Sequence, residues 1–581
     1  MYLSKLKLWN FRKFGAGADE IDISKPDLEV DFSSSLNVLI GENDSGKTAI
    51  IDSIKIILNT HSSEWVRLDR EDFYNNTKRL RIECYFSGFT DDEAKNFIEW
   101  LGIKNIDEAN SLYLKVFLDA KKNSEDNILP FDIKAGADED GHSLPAEARE
   151  YLKTTYLKPL RDAKNELTPK RNSRLSQILQ GHTVFKGKDN SHELVGIFKK
   201  FSKEIEDYFK DSVKEGSGVK KDLDLFLNEF FGEEKESEFT VTEQKLKNIL
   251  ETLRLTLEDG RLGLGSHNLL FIASELLNLD RKDFSIKLSL IEELEAHLCP
   301  QAQLRVIEHI QNKEGIQFML TTHSPNMGSK VKLKNLIICE NNNVFPMGTQ
   351  YTKLDESDYL FLERFLDVTK ANLFFAKGVI LVEGWSEEIL ISSLAKAMEI
   401  NLTKKGVSVV NVAGTSFAKY AKIFQRETEP MMHIPVSIVR DIDIKPDKYK
   451  EIKSDSETEQ DVKMEDEIQK KSEYDGQTVK TFISPNWTLE YCLYKSITLG
   501  EIFQQIVKEI HSGTNFDNDF EKELCIKLSN GGLKKLDIAY RLAQKIESNP
   551  SIYKDGLAND DDTINYIIKA IRYASGANSD H

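Results

Sequence analysis

The stretch LNVLIGENDSGKTAI, Leu36 to Ile50, restricts the possible folds of this chain more than any other. Its apolar start reads as a buried strand, its glycines as a tight loop, and the following KTAIIDSIKIIL carries helical periodicity. Gly41, Gly46, Lys47 and Thr48 match the pattern GxxxxGK followed by Ser or Thr, and Asn43 lies inside the same loop. In that pattern backbone N–H groups cradle phosphates, the lysine reaches the β and γ groups, and the hydroxyl ligates magnesium. Strand, phosphate loop and helix in that order predict an α/β fold that binds a nucleoside triphosphate.

Hydrolysis asks for more. A carboxylate must hold magnesium and another group must position water, because phosphoryl transfer is mostly placement and charge neutralisation. IKLSLIEELEAHLCP supplies an apolar strand that ends in Glu292 and Glu293, and FMLTTHSP ends a further strand at His323, placed to sense a γ-phosphate. Upstream of both, GLGSHN (Gly263 to Asn268) opens the helical pattern LLFIASELL. Small residues such as Gly265 and Ser266 at a helix N-terminus suit an anion.

With 581 residues the chain exceeds one hydrophobic core, so two to four domains are expected. No stretch approaches the roughly 20 apolar residues of a bilayer span, and the N-terminus lacks a signal-peptide apolar core. Five scattered cysteines, never arranged CxxC, argue against a disulfide framework or a zinc ribbon and fit a reducing cytoplasm. The net charge of -18 disfavours nucleic acid only on average, since charge is unevenly placed. Basic residues cluster from Leu157 to Arg174 and acids from Asp455 to Lys471.

Strand-like segments recur to about residue 350, at RLRIECYFSGF, LRLTLEDG, FSIKLSLIEE, GIQFMLTTHS and LKNLIICENN, interrupted by a polar helical stretch from about Ala146 to Gln244. A second alternation of strand and helix begins at FAKGVILVEG, continues through VSVVNVAG and IPVSIVRDID, and resumes at VKTFISPN. Alternation of this kind implies a parallel sheet flanked by helices. Glu383 ends the first of these strands with Glu387 one helical turn on, and Asp441 and Asp443 end the third, two apart and so on one face. Other DxD pairs occur at Asp138 with Asp140, Asp222 with Asp224 and Asp517 with Asp519, but only Asp441 and Asp443 follow an apolar run. Crowded carboxylates repel one another unless a cation intervenes, so the cluster predicts Mg2+ or Mn2+.

GENDSGKT, GLGSHN, IEELEAHLCP and TTHSP, in this order, resemble the ABC-type ATPase of the SMC and RecF group. That resemblance implies a dimer in which one subunit's signature loop completes the other's phosphate site. Two departures stand out: Glu292 replaces the usual aspartate, and Cys299 stands where relatives often carry histidine. The second half resembles a Toprim domain, with glutamate after the first strand, Gly414 after the second and DxD after the third. NWTLEYC adds Glu490, which resembles a further metal ligand of one branch, the overcoming-lysogenization-defect (OLD) family, and YLKPLRDA and WVRLDREDF also resemble that family's ATPase segments. The same resemblance assigns Lys535, with Lys534 as rival, to stabilising transition-state charge.

The fold expected is therefore a multidomain α/β chain: an ABC-type P-loop ATPase with a helical insertion, followed by a Toprim domain with a parallel sheet flanked by helices. The expected divisions are 1–145 and 245–350 for the ATPase, 146–244 for a helical insertion serving dimerisation, 370–495 for the Toprim domain, and 496–581 for a helical extension. The resemblance implies a DNA endonuclease or nickase controlled by ATP, acting as a homodimer or higher homo-oligomer, in phage defence and with a partner such as a helicase or reverse transcriptase. The competing classes are a non-catalytic DNA-clamping ATPase and a Toprim topoisomerase or primase; neither a separate tyrosine-bearing DNA module nor a zinc ribbon is identifiable.

Overall fold

The computed structural model describes residues 1–577 apart from 62–65, 107–108, 160–165, 232–233, 242–244, 258–262, 280–284, 450–463, 517 and 560–561. Part of the basic run after Leu157, most of the acidic run before Lys471, and Asp517 lie outside the described residues. By its contacts the chain divides into two compact units, one built from 1–37 and 48–321, the other from 38–47 and 322–581.

In the first unit β1 (Tyr2–Trp9) pairs antiparallel with β2 (Leu28–Asp31). The next strand, β3 (Leu36–Ile40), is buried at every position and runs into the glycine loop and α1 (Lys47–Leu58). Downstream, β4 (Arg79–Ser87), β5 (Leu101–Ile106), β6 (Ala109–Lys121), β7 (Ile133–Ala135) and β8 (His142–Ser143) complete an antiparallel sheet ordered β2-β1-β4-β6-β7-β8, with β5 on β6. Its register sets Leu6 opposite Cys84 and Leu8 opposite Ile82, all four fully buried.

The segment expected to be wholly helical contains a strand, β9 (Thr155–Leu157), which pairs in parallel with β10 (Leu288–Ile291). Three residues are too short for periodicity to announce them, and only the partner ladder makes them a strand. Helices follow as expected: α2 (Arg174–Gly181), α3 (Glu193–Lys210) and α4 (Gly216–Phe231). LRLTLEDG, read as a strand, is irregular over 253–257. Alternation without a neighbouring edge to pair with does not make a strand. The helix α5 (Leu264–Leu279) begins within GLGSHN. It is held to α2 by a buried, two-pronged ion pair in which Arg174 Nε and Nη2 donate to Glu275 Oε1 and Oε2 at 2.6 and 2.7 Å. Beyond β10, α6 (Pro300–Gln311) leads to β11 (Gln317–Thr322), parallel to β10.

In the second unit β12 (Leu336–Glu340) pairs in parallel with Val38 to Ile40 of β3 and antiparallel with β13 (Asn343–Pro346). A separate four-stranded sheet follows: β14 (Gly378–Val382), β15 (Val407–Asn411), β16 (Val436–Arg440) and β17 (Val479–Ile483). Its order is β15-β14-β16-β17 and every ladder is parallel. β14 is buried at all five positions, which is why it reads as one apolar run rather than an alternating strand. The chain departs from β14 to one side for β15 and to the other for β16, so the crevice between the carboxyl ends of β14 and β16 is the topological switch point.

Helices that bear on this sheet are α7 (Trp385–Ala397), α8 (Met464–Lys471), α9 (Leu489–Lys495), α10 (Gly500–Ile510), α11 (Phe520–Ser529), α12 (Lys535–Ser548), α13 (Pro550–Leu557) and α14 (Asn565–Ala574). Apart from α8, their apolar faces share one core with β14 and β16, including Ile380, Leu390, Val439, Leu493, Leu542 and Ile568. Among the described residues no helix is long and apolar enough to cross a membrane.

Candidate active sites

The glycine loop is shaped by close approach. Gly41 has φ +148°, and a Cβ there would stand 2.3 Å from the Cys339 carbonyl oxygen of β12, so only glycine fits. Gly46, with φ +103°, makes the second bend. Lys47 is buried, and its Nζ donates to the carbonyl oxygens of Gly41 and Glu42 and to Ser45 Oγ at 2.9, 2.5 and 3.1 Å. Asn43 and Thr48 are exposed at the loop's rim.

On the parallel ladder β10 delivers Glu292 at its carboxyl end, almost fully buried. Tyr156 of β9 donates its hydroxyl to Glu292 Oε1 at 2.8 Å, and the Thr48 hydroxyl also bonds this carboxyl. Burial raises the Glu292 pKa, Asp52 adds to the effect, and the two hydroxyls oppose it. Thus Glu292 meets the hydroxyl assigned to magnesium. Glu293 adopts φ +44°, a conformation rare for a glutamate, and its N–H donates to Thr321 Oγ1 at 3.1 Å. Gly265 lies in the first turn of α5, where a Cβ would stand 2.9 Å from the His297 carbonyl oxygen. Asn268, one turn on, donates to the Ala296 carbonyl at 2.9 Å. Ser266 is half-buried in the same turn, and His323 is half-buried directly after β11.

The second centre gathers at the switch point. Glu383 follows β14 and Asp441 follows β16, so neighbouring strand ends bring them together. Gly414, after β15, donates its N–H to the Glu383 carbonyl at 3.1 Å and so ties a third strand end to the crevice. Asp443 has φ +62°, and its N–H donates to the Trp487 carbonyl at 2.9 Å. Glu387 comes from the first turn of α7, and Glu490, buried, from the first turn of α9.

Electrostatics shows how closely these groups crowd. Burial, then the charge of Asp443, pushes Glu383 up to about 7, against the pull of Arg440, whose Nε is 3.8 Å from Glu383 Oε1. Burial, then Glu490, Glu387 and Glu383, holds Asp441 well above the usual carboxylate range. Glu387 rises through burial and the charge of Glu490. Two cations answer from helices. Lys535, the first residue of α12, donates to Glu490 Oε2 at 2.9 Å; its side chain and that of Lys534 are both exposed. Lys471, at the end of α8, is buried and donates to the Asp441 carbonyl at 2.7 Å and to the Asp443 carboxylate.

Whether these residues suit a divalent cation is answered by one orphan atom and by the donor chemistry. Glu383 Oε1 is buried with no hydrogen-bond donor among the described residues. The side chains gathered beside it include four further carboxylates, whose oxygens are the ligands of a hard cation such as Mg2+ or Mn2+. As the side chains stand, no three of the described His, Cys, Asp or Glu residues form a ready metal-holding group, and Lys535 and Lys471 each donate to one of the acids. The kinds of residue fit the ion; loading it requires the carboxylates to draw closer together. Lys471 and Arg440 were not singled out from sequence, since lysines in a charged helix and an arginine at a strand end carry no distinguishing pattern.

Residues 1–144 and 144–327 match the AAA ATPase domain family, and residues 374–443 match the family described as overcoming lysogenization defect protein-like, TOPRIM domain. Endonuclease GajA of Bacillus cereus (strain HuB5-5) is 23% identical, with 77% of each chain covered. The OLD nuclease of Thermus scotoductus is 23% identical, over 71% of this chain and 77% of that protein. The solved C-terminal region of the Burkholderia pseudomallei OLD protein is 23% identical, covers 35% of this chain and 98% of its own, and has a TM-score of 0.25. The chain belongs to the AAA ATPase domain family over more than half its length, and behind that ATPase it carries an OLD-like Toprim domain.

Proposed function

We propose that this protein is a metal-dependent DNA endonuclease or nickase, with its cutting centre at the β14/β16 switch point and its activity controlled by ATP at the glycine loop. The observation that carries this reading is the meeting of Glu383, Glu387, Asp441 and Glu490 at one crevice, each of the first three held above its ordinary pKa by burial and by its neighbours' charge. Glu383, Asp441, Asp443 and Glu490 would hold Mg2+ or Mn2+, with Glu387 serving a second ion. Such ions, when bound, supply Lewis acidity toward a phosphodiester and a water that ionises near neutral pH. Lys535 would turn from Glu490 toward charge developing on the phosphate, and Lys471 would steady the Asp443 loop. At the other centre Lys47 and Thr48 would hold the triphosphate and its magnesium with Glu292, while Glu293 and His323 would address the attacking water and the γ-phosphate. Gly265 and Ser266 would complete the phosphate site of a second copy. The named relatives support nuclease chemistry, and phage defence is proposed as the setting from the resemblance of the sequence alone.

Supercoiled plasmid with Mn2+ separates the possibilities. Relaxed circles that ligase can reseal, or linear DNA, are expected from the parent and absent with Asp441→Ala. A ladder of topoisomers would instead indicate a topoisomerase, and intact plasmid with retained DNA binding a clamp. Lys47→Ala should weaken ATP binding at least tenfold by calorimetry, because it removes a charged donor to the phosphates; undiminished binding would refute the loop's role.

A further inference from the structure

Helix α14 is laid antiparallel across the strands that carry the acids. Gly378 opens β14, and a Cβ there would stand 1.9 Å from the Ala574 carbonyl oxygen. Ser437, the second residue of β16, donates its hydroxyl to the Ala570 carbonyl at 2.8 Å. One turn toward the helix N-terminus spans about 6 Å, the length of about two strand residues, which brings Tyr566 level with the last part of β16. Helical side chains lean toward the N-terminus of their helix, so the phenol extends further in the direction of Asp441.

At that place Tyr566 is 8% exposed, and its hydroxyl is buried with no hydrogen-bond partner among the described residues. A buried phenol ordinarily finds an acceptor, and phenylalanine would fill the same space with no polar atom left over. After burial, the charge of Asp441 is the strongest influence on this phenol, ahead of Cys492, Glu387 and Glu490. The hydroxyl therefore lies near enough to the candidate ligands to be influenced by their charge, yet it hydrogen-bonds to none of them.

We propose that Tyr566 is a positioning residue whose hydroxyl donates to the Asp441 carboxylate when that carboxylate engages a divalent cation, fixing which oxygen faces the ion. Groups of this kind orient the ligating side chain, and their loss commonly weakens metal binding by ten- to a hundredfold. The proposal rests on the metal reading of the centre given above.

The test is calorimetric titration of the full-length protein with Mn2+ alone, beside melting of the metal-free protein. Tyr566→Phe should bind Mn2+ about tenfold more weakly while melting no lower than the parent without metal. In an Asp441→Asn background the same substitution should add no further loss. Binding within twofold of the parent, a full tenfold loss that persists in the Asp441→Asn background, or a lowered metal-free melting point would each overturn the role. A parent that binds no Mn2+ would overturn the metal reading itself, and this role with it; a parent that binds while Tyr566→Phe binds equally would remove Tyr566 alone.

Discussion

Single side chains at the second centre carry a cost that the fold would not otherwise keep. Glu383 has its carboxyl pushed from 4.5 up to about 7 by burial and by Asp443, so the folded protein holds that proton more tightly than the unfolded chain. Its contribution to stability is therefore fully present below about pH 4.5 and is lost as the pH rises through 7, by up to about 3 kcal/mol. Urea unfolding in EDTA at pH 4.5 and pH 8 should show this loss, and Glu383→Gln should flatten it; an unchanged pH dependence in the variant would contradict the assignment. Asp441 and Glu387 shift in the same direction, so part of the slope should survive. From sequence, Glu383 and Asp441 were legible because each ends an apolar run, where a parallel sheet exposes its strand termini. Tyr566 and Lys471 were not, because their relation to the acids exists only once α14 and α8 are placed against the sheet.

Among the elements, strands long enough to carry a pattern of their own were legible. The buried strands β12 and β14 read as apolar runs, β3, β10 and β11 as apolar stretches with a few polar residues, and the partly exposed β15 and β17 were legible as well. The later strands of the antiparallel sheet, β5 to β8, carry no pattern that announces them, and β9 lies within a stretch whose composition predicts helix. Short strands owe their existence to partners, not to their own pattern. Close contacts were equally hidden: Gly378 looks like an ordinary glycine before a strand, yet it is the place where α14 meets β14 backbone to backbone. Gly378→Ala should force that helix outward and cost about 2 to 3 kcal/mol. Chemical denaturation would measure it, and a midpoint equal to the parent's would show that the helix has room to move.

For the whole molecule, the notable surface belongs to α4, where Val219, Leu223, Phe226 and Phe230 recur at spacings of four, three and four and are 57%, 43%, 59% and 80% exposed. A stripe at that spacing is the kind that pairs with another helix. It supports the proposal that the insertion joins two copies of the chain, as a signature loop shared between subunits would require. Phe226→Glu with Phe230→Glu should shift the sedimenting species from dimer toward monomer with the melting temperature unchanged; an unaltered dimer would place the interface elsewhere. Within the second unit, Lys377 reaches Glu42 of the glycine loop at 2.8 Å, one residue before β14 begins. Both partners are well exposed, so the pair contributes little to stability.

In the proposed centre, carboxylates that follow β14 and β16 and that open α7 and α9 close around divalent ions. Anomalous diffraction from crystals soaked in saturating Mn2+ measures this directly. Manganese peaks are expected at the β14/β16 crevice with oxygens of Glu383 and Asp441 about 2.0 to 2.6 Å away. A crevice without a peak under those conditions, with Lys535 still bound to Glu490 and Lys471 to Asp443, would contradict it.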